Sequence, residues 1–370
     1  MNLTSEQILD WHCESDSVRL EDLWRQADSV RRRRVGDEIH LRGLVEISNV
    51  CDRGCSYCGL RGENRSLRRY RMTGEEILAA ARTAEVLEYG TLVLQSGEDP
   101  QIDLDEISRV VRQIKQETRL AVTLSLGELD ERQLAGLRDA GADRYLLRFE
   151  TSNRRLFDLI HPARPGSESR DRISRLGMLR DLGYEVGSGV MVGIPGQSYR
   201  DLARDVQLFQ ELDLDMIGLG PYVPHPDTPL ARMADTLRAA TTDQAPADAL
   251  TTCKMLALAR LACPDANLPS TTALATIGGG DGRAMGLQRG ANIVMPNLTP
   301  QQYRESYEIY PNKAGTADGP SESHAVVVRQ IQQMGRSLGR GRGDSPNVLA
   351  RRASSAENPA SLCAAVSRQE

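Results

Sequence analysis

Three thiols fall within eight residues in Cys51-Asp-Arg-Gly-Cys55-Ser-Tyr-Cys58, a C-x3-C-x2-C spacing. In a reducing compartment, thiols this close hold a metal more readily than they form a disulfide scaffold. A structural zinc site asks for four ligands in a tetrahedron, and the next thiol is the distant Cys253. A zinc knuckle and incidental thiols are the competing readings. A cubane [4Fe–4S] cluster fits three close thiolates better, because one short loop can wrap three iron corners and leave the fourth without a protein ligand. The amino and carboxylate groups of S-adenosylmethionine (SAM) can chelate such an open corner. An electron passed into the bound sulfonium then breaks a C–S bond, chemistry that belongs to the cofactor. Gly54 lets the loop turn tightly, and Tyr57 offers an aromatic edge beside cluster and adenine.

The elements that must position this loop follow from periodicity. Residues 1–37 read as two amphipathic helices, with Thr4 and Gln7 spaced as a capping box. From about residue 38, eight strand candidates alternate with helices: 40–47, 91–95, 120–125, 144–148, 185–192, 216–219, 267–271 and 292–295. Alternation of this kind predicts parallel strands with right-handed crossovers. Eight units at this size point to a (β/α)8 TIM-type barrel, with an open doubly wound sheet as the alternative. The cysteine loop directly follows the first strand, at the end of a barrel where active sites form. The expected layout is an N-terminal helical extension over 1–37, the barrel over 38–313, a C-terminal helix over 314–335 and a flexible, glycine- and serine-rich tail over 336–370.

Composition narrows the function. The chain has 370 residues and a formal net charge of −5, no electrostatic match for nucleic acid. Its longest apolar runs are strand-sized, short of the roughly 20 residues a membrane helix needs. The N-terminus lacks the apolar region of a secretory signal, so the cytoplasm is the expected address. Cys253 and Cys263 sit on an apolar helix and read as small buried hydrophobes, while Cys13 and Cys363 read as incidental. The Arg31–Arg34 run reads as a solvated helix end. His225 follows the sixth strand, as either a substrate contact or a turn residue.

With these residues placed, the chain resembles the HydE family of radical SAM maturases of [FeFe]-hydrogenase, in the wider group that holds biotin synthase and methylornithine synthase. The resemblance runs from about residue 24 to 313. It is carried by VGDEIHLRGLVEISNVC (35–51), YCGLRGEN (57–64), RYRMTGEEI (69–77), VLQSGEDP (93–100), AVTLSLGE (121–128), AGADRYLLRFET (140–151), VGIPGQ (192–197), GLGPYVPHPDTPL (218–230), STTALATI (270–277) and GANIVMPNLTPQQYRESYEIYPNK (290–313).

The resemblance implies one [4Fe–4S] cluster on Cys51, Cys55 and Cys58. It implies SAM contacts from Gln95, Ser96, Gly97, Ser125, Glu150, Arg172 and Met191, beside Tyr57. In that family Glu150 suits a ribose hydroxyl or the ammonium, and Arg172 the carboxylate. Arg42, Thr271, Thr272, Tyr307 and Tyr310 match residues near the substrate. Tyr303 lies one helical turn before Tyr307, so that on a helix the three rings would share a face, lining the cavity or packed as core. The implied substrate is a small anionic iron–cysteine complex carrying carbonyl and cyanide, for which a buried arginine and hydroxyls are suitable chemistry. The implied partners are the companion maturases HydG and HydF and an electron donor such as ferredoxin or flavodoxin. Some members carry a second cluster on three further cysteines after YPNK. Here that stretch reads AGTADGPSES, so no second cluster is expected. A radical SAM mutase acting on an amino acid, like methylornithine synthase, or a relative with another substrate, remains as the alternative.

Overall fold

The computed structural model describes residues 3–163, 171–315 and 319–357. Seven strands, β1 (His40–Ser48), β2 (Thr91–Ser96), β3 (Ala121–Ser125), β4 (Arg144–Leu146), β5 (Glu185–Val192), β6 (Met216–Pro221) and β7 (Ile293–Val294), form one sheet. All pairs are parallel, in the order β6-β5-β4-β3-β2-β1-β7. The sheet is a curled half-barrel. The seventh expected strand, at 267–271, does not form as one. Its residues make single parallel bridges, Asn267 to Met216 on one edge and Pro269 to Ile293 on the other. Pro269 has no N–H to extend a ladder, and side-chain amides take over part of the pairing: Asn292 Oδ1 accepts from the Leu268 N–H at 2.9 Å.

Helices cover the outer face because their apolar stripes have a sheet to pack on. In the helix Leu104–Glu117, Ile107, Val110, Val111 and Ile114 are buried in a row. The expected cap of Thr4 with Gln7 closes a reciprocal capping box, and Thr73 with Glu76 closes another. The two N-terminal helices, Ser5–Cys13 and Ser17–Val35, pack on the helices Tyr199–Glu211 and Ala249–Ala262. Arg31 is not on a solvated face as expected but buried, bonding Asp28, the Gly36 carbonyl and Asp37 at 2.6–3.0 Å. Two helices, Arg154–Ile160 and Arg172–Asp181, lie between β4 and β5, with 164–170 outside the described residues.

The largest correction concerns the tail. Residues 337–345 are not a flexible appendage; they form a strap across the N-terminal ends of the strands. Ile39 and Ser337 pair (2.9 Å), as do Gly339 and Ile39 (2.8 Å). Arg144, fully buried, donates to Glu185 (2.6 Å), Thr91 Oγ1 (2.7 Å) and the Arg342 carbonyl (3.0 Å), and also pairs with Asp344. Arg342 is held by Asp143 at 2.7 Å. A further helix, Pro346–Glu357, follows, anchored by Arg351 on Asp213 and Asp215. Glycine is needed because the strap approaches by its backbone: a Cβ on Gly90 would lie 1.6 Å from the Gly341 carbonyl oxygen. Cys363 lies outside the described residues.

Candidate active site

The cysteine loop leaves the C-terminal end of β1 and is held by backbone contacts on both sides. The Gly97 N–H donates to Ser48 O at 3.0 Å, and the Asp52 N–H to Glu98 O at 3.1 Å. Gly97 has no Cβ to spare, since one would meet Val50 O at 2.3 Å and Cys51 Cβ at 2.8 Å. On the outer side Arg69, a residue sequence reasoning passed over, donates to the carbonyls of Asn49 (2.6 Å), Leu60 (2.8 Å), Arg61 (2.7 Å) and Asn64 (3.2 Å). Four carbonyls gathered by one guanidinium fix the loop's path.

The loop rims a cavity of about 360 Å3 inside the curled sheet. Of the residues singled out from sequence, Cys51, Cys55, Cys58, Tyr57, Gln95, Ser96, Gly97, Ser125, Glu150, Arg172, Met191, Arg42, Thr271, Thr272, Tyr307 and Tyr310 all line it. Tyr303 does not. Its ring stacks on Tyr70 with centroids 4.5 Å apart, and its hydroxyl donates to Glu76 at 2.8 Å. The shared helical face fails because the helix Gln301–Arg304 is a single turn, so Tyr307 and Tyr310 lie beyond it. Nor does His225 line the cavity; its ring lies behind the loop against Gly59.

Two zones divide the wall. Near the thiols, Tyr57 OH and His161 Nε2 are 3.1 Å apart, and Met191 packs with Ile194 and Tyr222 in a small apolar cluster that Tyr57 also touches. Arg172 donates to Glu128 (2.9 Å) and the Arg148 carbonyl (2.8 Å). Glu150 adopts φ +62°, a left-handed conformation uncommon for a non-glycine residue. Pairing with β5 holds it there, and Arg148 Nε donates to both its carboxylate oxygens at 3.0 and 3.1 Å. Deeper in, Gln95 donates to Tyr307 OH (3.0 Å). Lys313 bridges Glu46 (2.5 Å) and the Tyr307 carbonyl (3.2 Å), its ammonium 5.1 Å from the Tyr307 ring centroid. Neither Glu46 nor Lys313 was picked out from sequence; the apolar pattern around Glu46 hid a carboxylate on the inward face of β1. Arg42 forms the floor, its guanidinium donating to the Gly343 carbonyl of the strap at 3.0 Å.

Burial raises the pKa of all three thiols, Cys55 to about 12, with the neighbouring thiols adding to the rise at Cys55 and Cys58. Desolvated thiolates need a cationic partner. Among the described residues, no three His, Cys, Asp or Glu side chains gather closely enough to hold one metal ion. A cubane instead takes one thiolate on each of three separate irons. Three thiols spread around one cavity rim, with a backbone edge at Ser96–Gly97 beside them, fit that group and leave room for a chelating ligand.

The radical SAM superfamily model matches residues 45–209. The [FeFe] hydrogenase maturase subunit HydE of Thermotoga maritima is 45% identical over 330 residues, 89% of this chain and 90% of that protein. The chain belongs to the HydE family. It is therefore a radical SAM enzyme, and its superfamily implies a [4Fe–4S] cluster and SAM. The 3-methylornithine synthase of Methanosarcina acetivorans is also similar, 26% identical over 318 residues and 85% of each chain. In fold, a crystal structure of methylornithine synthase matches with a TM-score of 0.77 at 24% identity, covering 92% of this chain and 95% of that one. A structure of HydG, a maturase of the [FeFe]-hydrogenase, matches with a TM-score of 0.73 at 19% identity, covering 90% and 72%. Among the described residues no helix is long and apolar enough to cross a membrane.

Proposed function

We propose that this protein acts in the cytoplasm in assembling the di-iron part of the [FeFe]-hydrogenase H-cluster. The observation that carries the reading is near-full-length similarity to HydE, supported by a cavity lined by the residues that the resemblance singles out. Cys51, Cys55 and Cys58 hold a single [4Fe–4S] cluster. Cys13, Cys253 and Cys263 stand apart from it in sequence and serve no second one. With SAM bound beside it, the cluster supplies a 5′-deoxyadenosyl radical.

The chain's own residues do the positioning. The Ser96–Gly97 backbone and Glu150 take the ammonium of SAM, Arg172 its carboxylate, and Gln95 and Ser125 the neighbouring polar edge. Tyr57 and Met191 flank the adenine. Arg42, Thr271, Thr272, Tyr307 and Tyr310 hold a small anionic iron–cysteine complex bearing carbonyl and cyanide. The bridges at Asn267 and Pro269 read as the seventh position of a closed barrel around that chamber. HydG and HydF are the companion maturases in this reading, with ferredoxin or flavodoxin as the electron donor. The test is anaerobic reconstitution followed by a hydrogenase activation assay with both companions. Release of 5′-deoxyadenosine together with active hydrogenase is expected. Cleavage of SAM without hydrogenase activation, or turnover of lysine to a methylated ornithine, would overturn the assignment.

A further inference from the structure

Five arginines and one glutamate fall between residues 61 and 71, immediately after the cysteine loop. Three are consumed internally. Arg61 pairs with Glu63 at 3.1 Å, Arg71 with Asp99 at 2.6 Å, and Arg69 is spent on loop carbonyls. Arg65 and Arg68 are exposed and make no ion pair among the described residues. They belong to the same small body as the thiols: Asn64 Nδ2 donates to Gly59 O at 2.8 Å, and the Gly62 N–H to Arg53 O at 2.9 Å. The Arg61 N–H donates to Cys58 O at 3.2 Å, so the segment continues directly from the thiol loop. The segment is therefore packed on the thiol loop, and its two exposed cations, Arg65 and Arg68, have no ion-pair partner among the described residues.

Reductive cleavage of SAM consumes one electron that must arrive from outside, and the thiols are half-buried. The chain as a whole is anionic, which would repel an acidic donor unless a local positive patch guides it to the right face. We propose that Arg65 and Arg68 are the docking patch for an acidic one-electron donor protein that reduces the cluster through this loop. The inference rests on the proposed radical SAM function.

Its test uses the full chain loaded with its cluster and reduced flavodoxin as the probe, following loss of cluster absorbance by stopped flow. For the double variant Arg65→Glu/Arg68→Glu, the bimolecular rate should fall about tenfold or more at low ionic strength, and the gap should close as salt is raised. Reduced methyl viologen, a small cation, should reduce the variant no more slowly than the wild type. Arg65→Lys/Arg68→Lys should keep most of the flavodoxin rate. Arg32→Glu/Arg33→Glu, an equal charge change on the N-terminal extension, should leave it nearly unaltered. Unchanged flavodoxin kinetics in the Arg65/Arg68 reversal would overturn the patch, as would an equal slowing with viologen or from the Arg32/Arg33 pair. A wild-type chain that takes up no cluster would count against the proposed function itself rather than against the patch.

Discussion

The two mouths of the curled sheet are built from similar parts and behave differently. At the C-terminal ends of the strands, the Cys51–Cys58 loop is held by a bare glycine backbone at Gly97 and by arginines on carbonyls and carboxylates. At the N-terminal ends, the 337–345 strap is held by a bare backbone at Gly90 and by Arg144 on Glu185 and Asp344. At the first mouth, polar groups line an open cavity of about 360 Å3. At the second, charges are matched within the protein: Arg144 to two carboxylates, Arg342 to Asp143 and Asp344, Arg351 to Asp213 and Asp215. One end is arranged for a ligand and the other for closure, which is how barrel proteins divide catalysis and stability between their faces.

Four perturbations probe this division, taken from the largest effect downward. Cys55→Ser should abolish 5′-deoxyadenosine formation while the thermal midpoint stays near that of the cluster-free wild type; retained SAM cleavage would break the functional side of the contrast. Arg144→Ala leaves Glu185 and Asp344 without their buried partner and should cost about 3–5 kcal/mol of stability, read from a denaturant titration. A loss below about 1 kcal/mol would show that the strap does not depend on this pairing. Next come the paired glycines. Gly90→Ala should lower stability by roughly 1–3 kcal/mol through overpacking yet leave cluster uptake intact, whereas Gly97→Ala should impair cluster uptake first. Calorimetry beside iron and sulfide analysis separates the two, and the reverse pattern would collapse the distinction.

The smallest effect is acid release of the strap. At Asp344, burial pushes the carboxyl pKa upward, but Arg144, Arg342 and Arg352 outweigh it and the net shift is downward. At Asp143 the Val122 N–H, Lys115 and Arg342 do the same. A depressed folded value means the stabilisation is in full force above about pH 4 and fades as pH falls through the folded pKa. Hydrogen exchange at 337–345 should therefore speed up below about pH 4. Protection that held constant there would show that these carboxylates do not secure the strap.

Much of the site was legible because its chemistry is local in the chain. Three thiols in one loop need no tertiary information to be read together, and strand periodicity already placed that loop after β1. Six of the expected strands return with boundaries shifted by at most two residues. The seventh dissolves into bridges at Asn267 and Pro269, and the eighth survives only as Ile293–Val294. What failed to read were pairings between distant residues. Glu46 and Lys313 are 267 positions apart, and nothing near either announces the other. The strap was misread for the same reason: glycine, serine and arginine without periodicity look like a solvated tail until Gly90, Arg144 and Asp143 supply partners.

The sequence by itself determined the cysteine loop, the alternating parallel architecture and the helix caps, because each is set by spacings of a few residues and by local hydrogen bonding. Only the tertiary structure decided which hydroxyls and charges face the cavity, that Tyr303 turns away from it, and that the 337–345 strap closes the opposite mouth. Those outcomes depend on burial and on partners from remote segments. A side chain's surroundings, and with them its charge state and role, come into being only when the chain closes on itself.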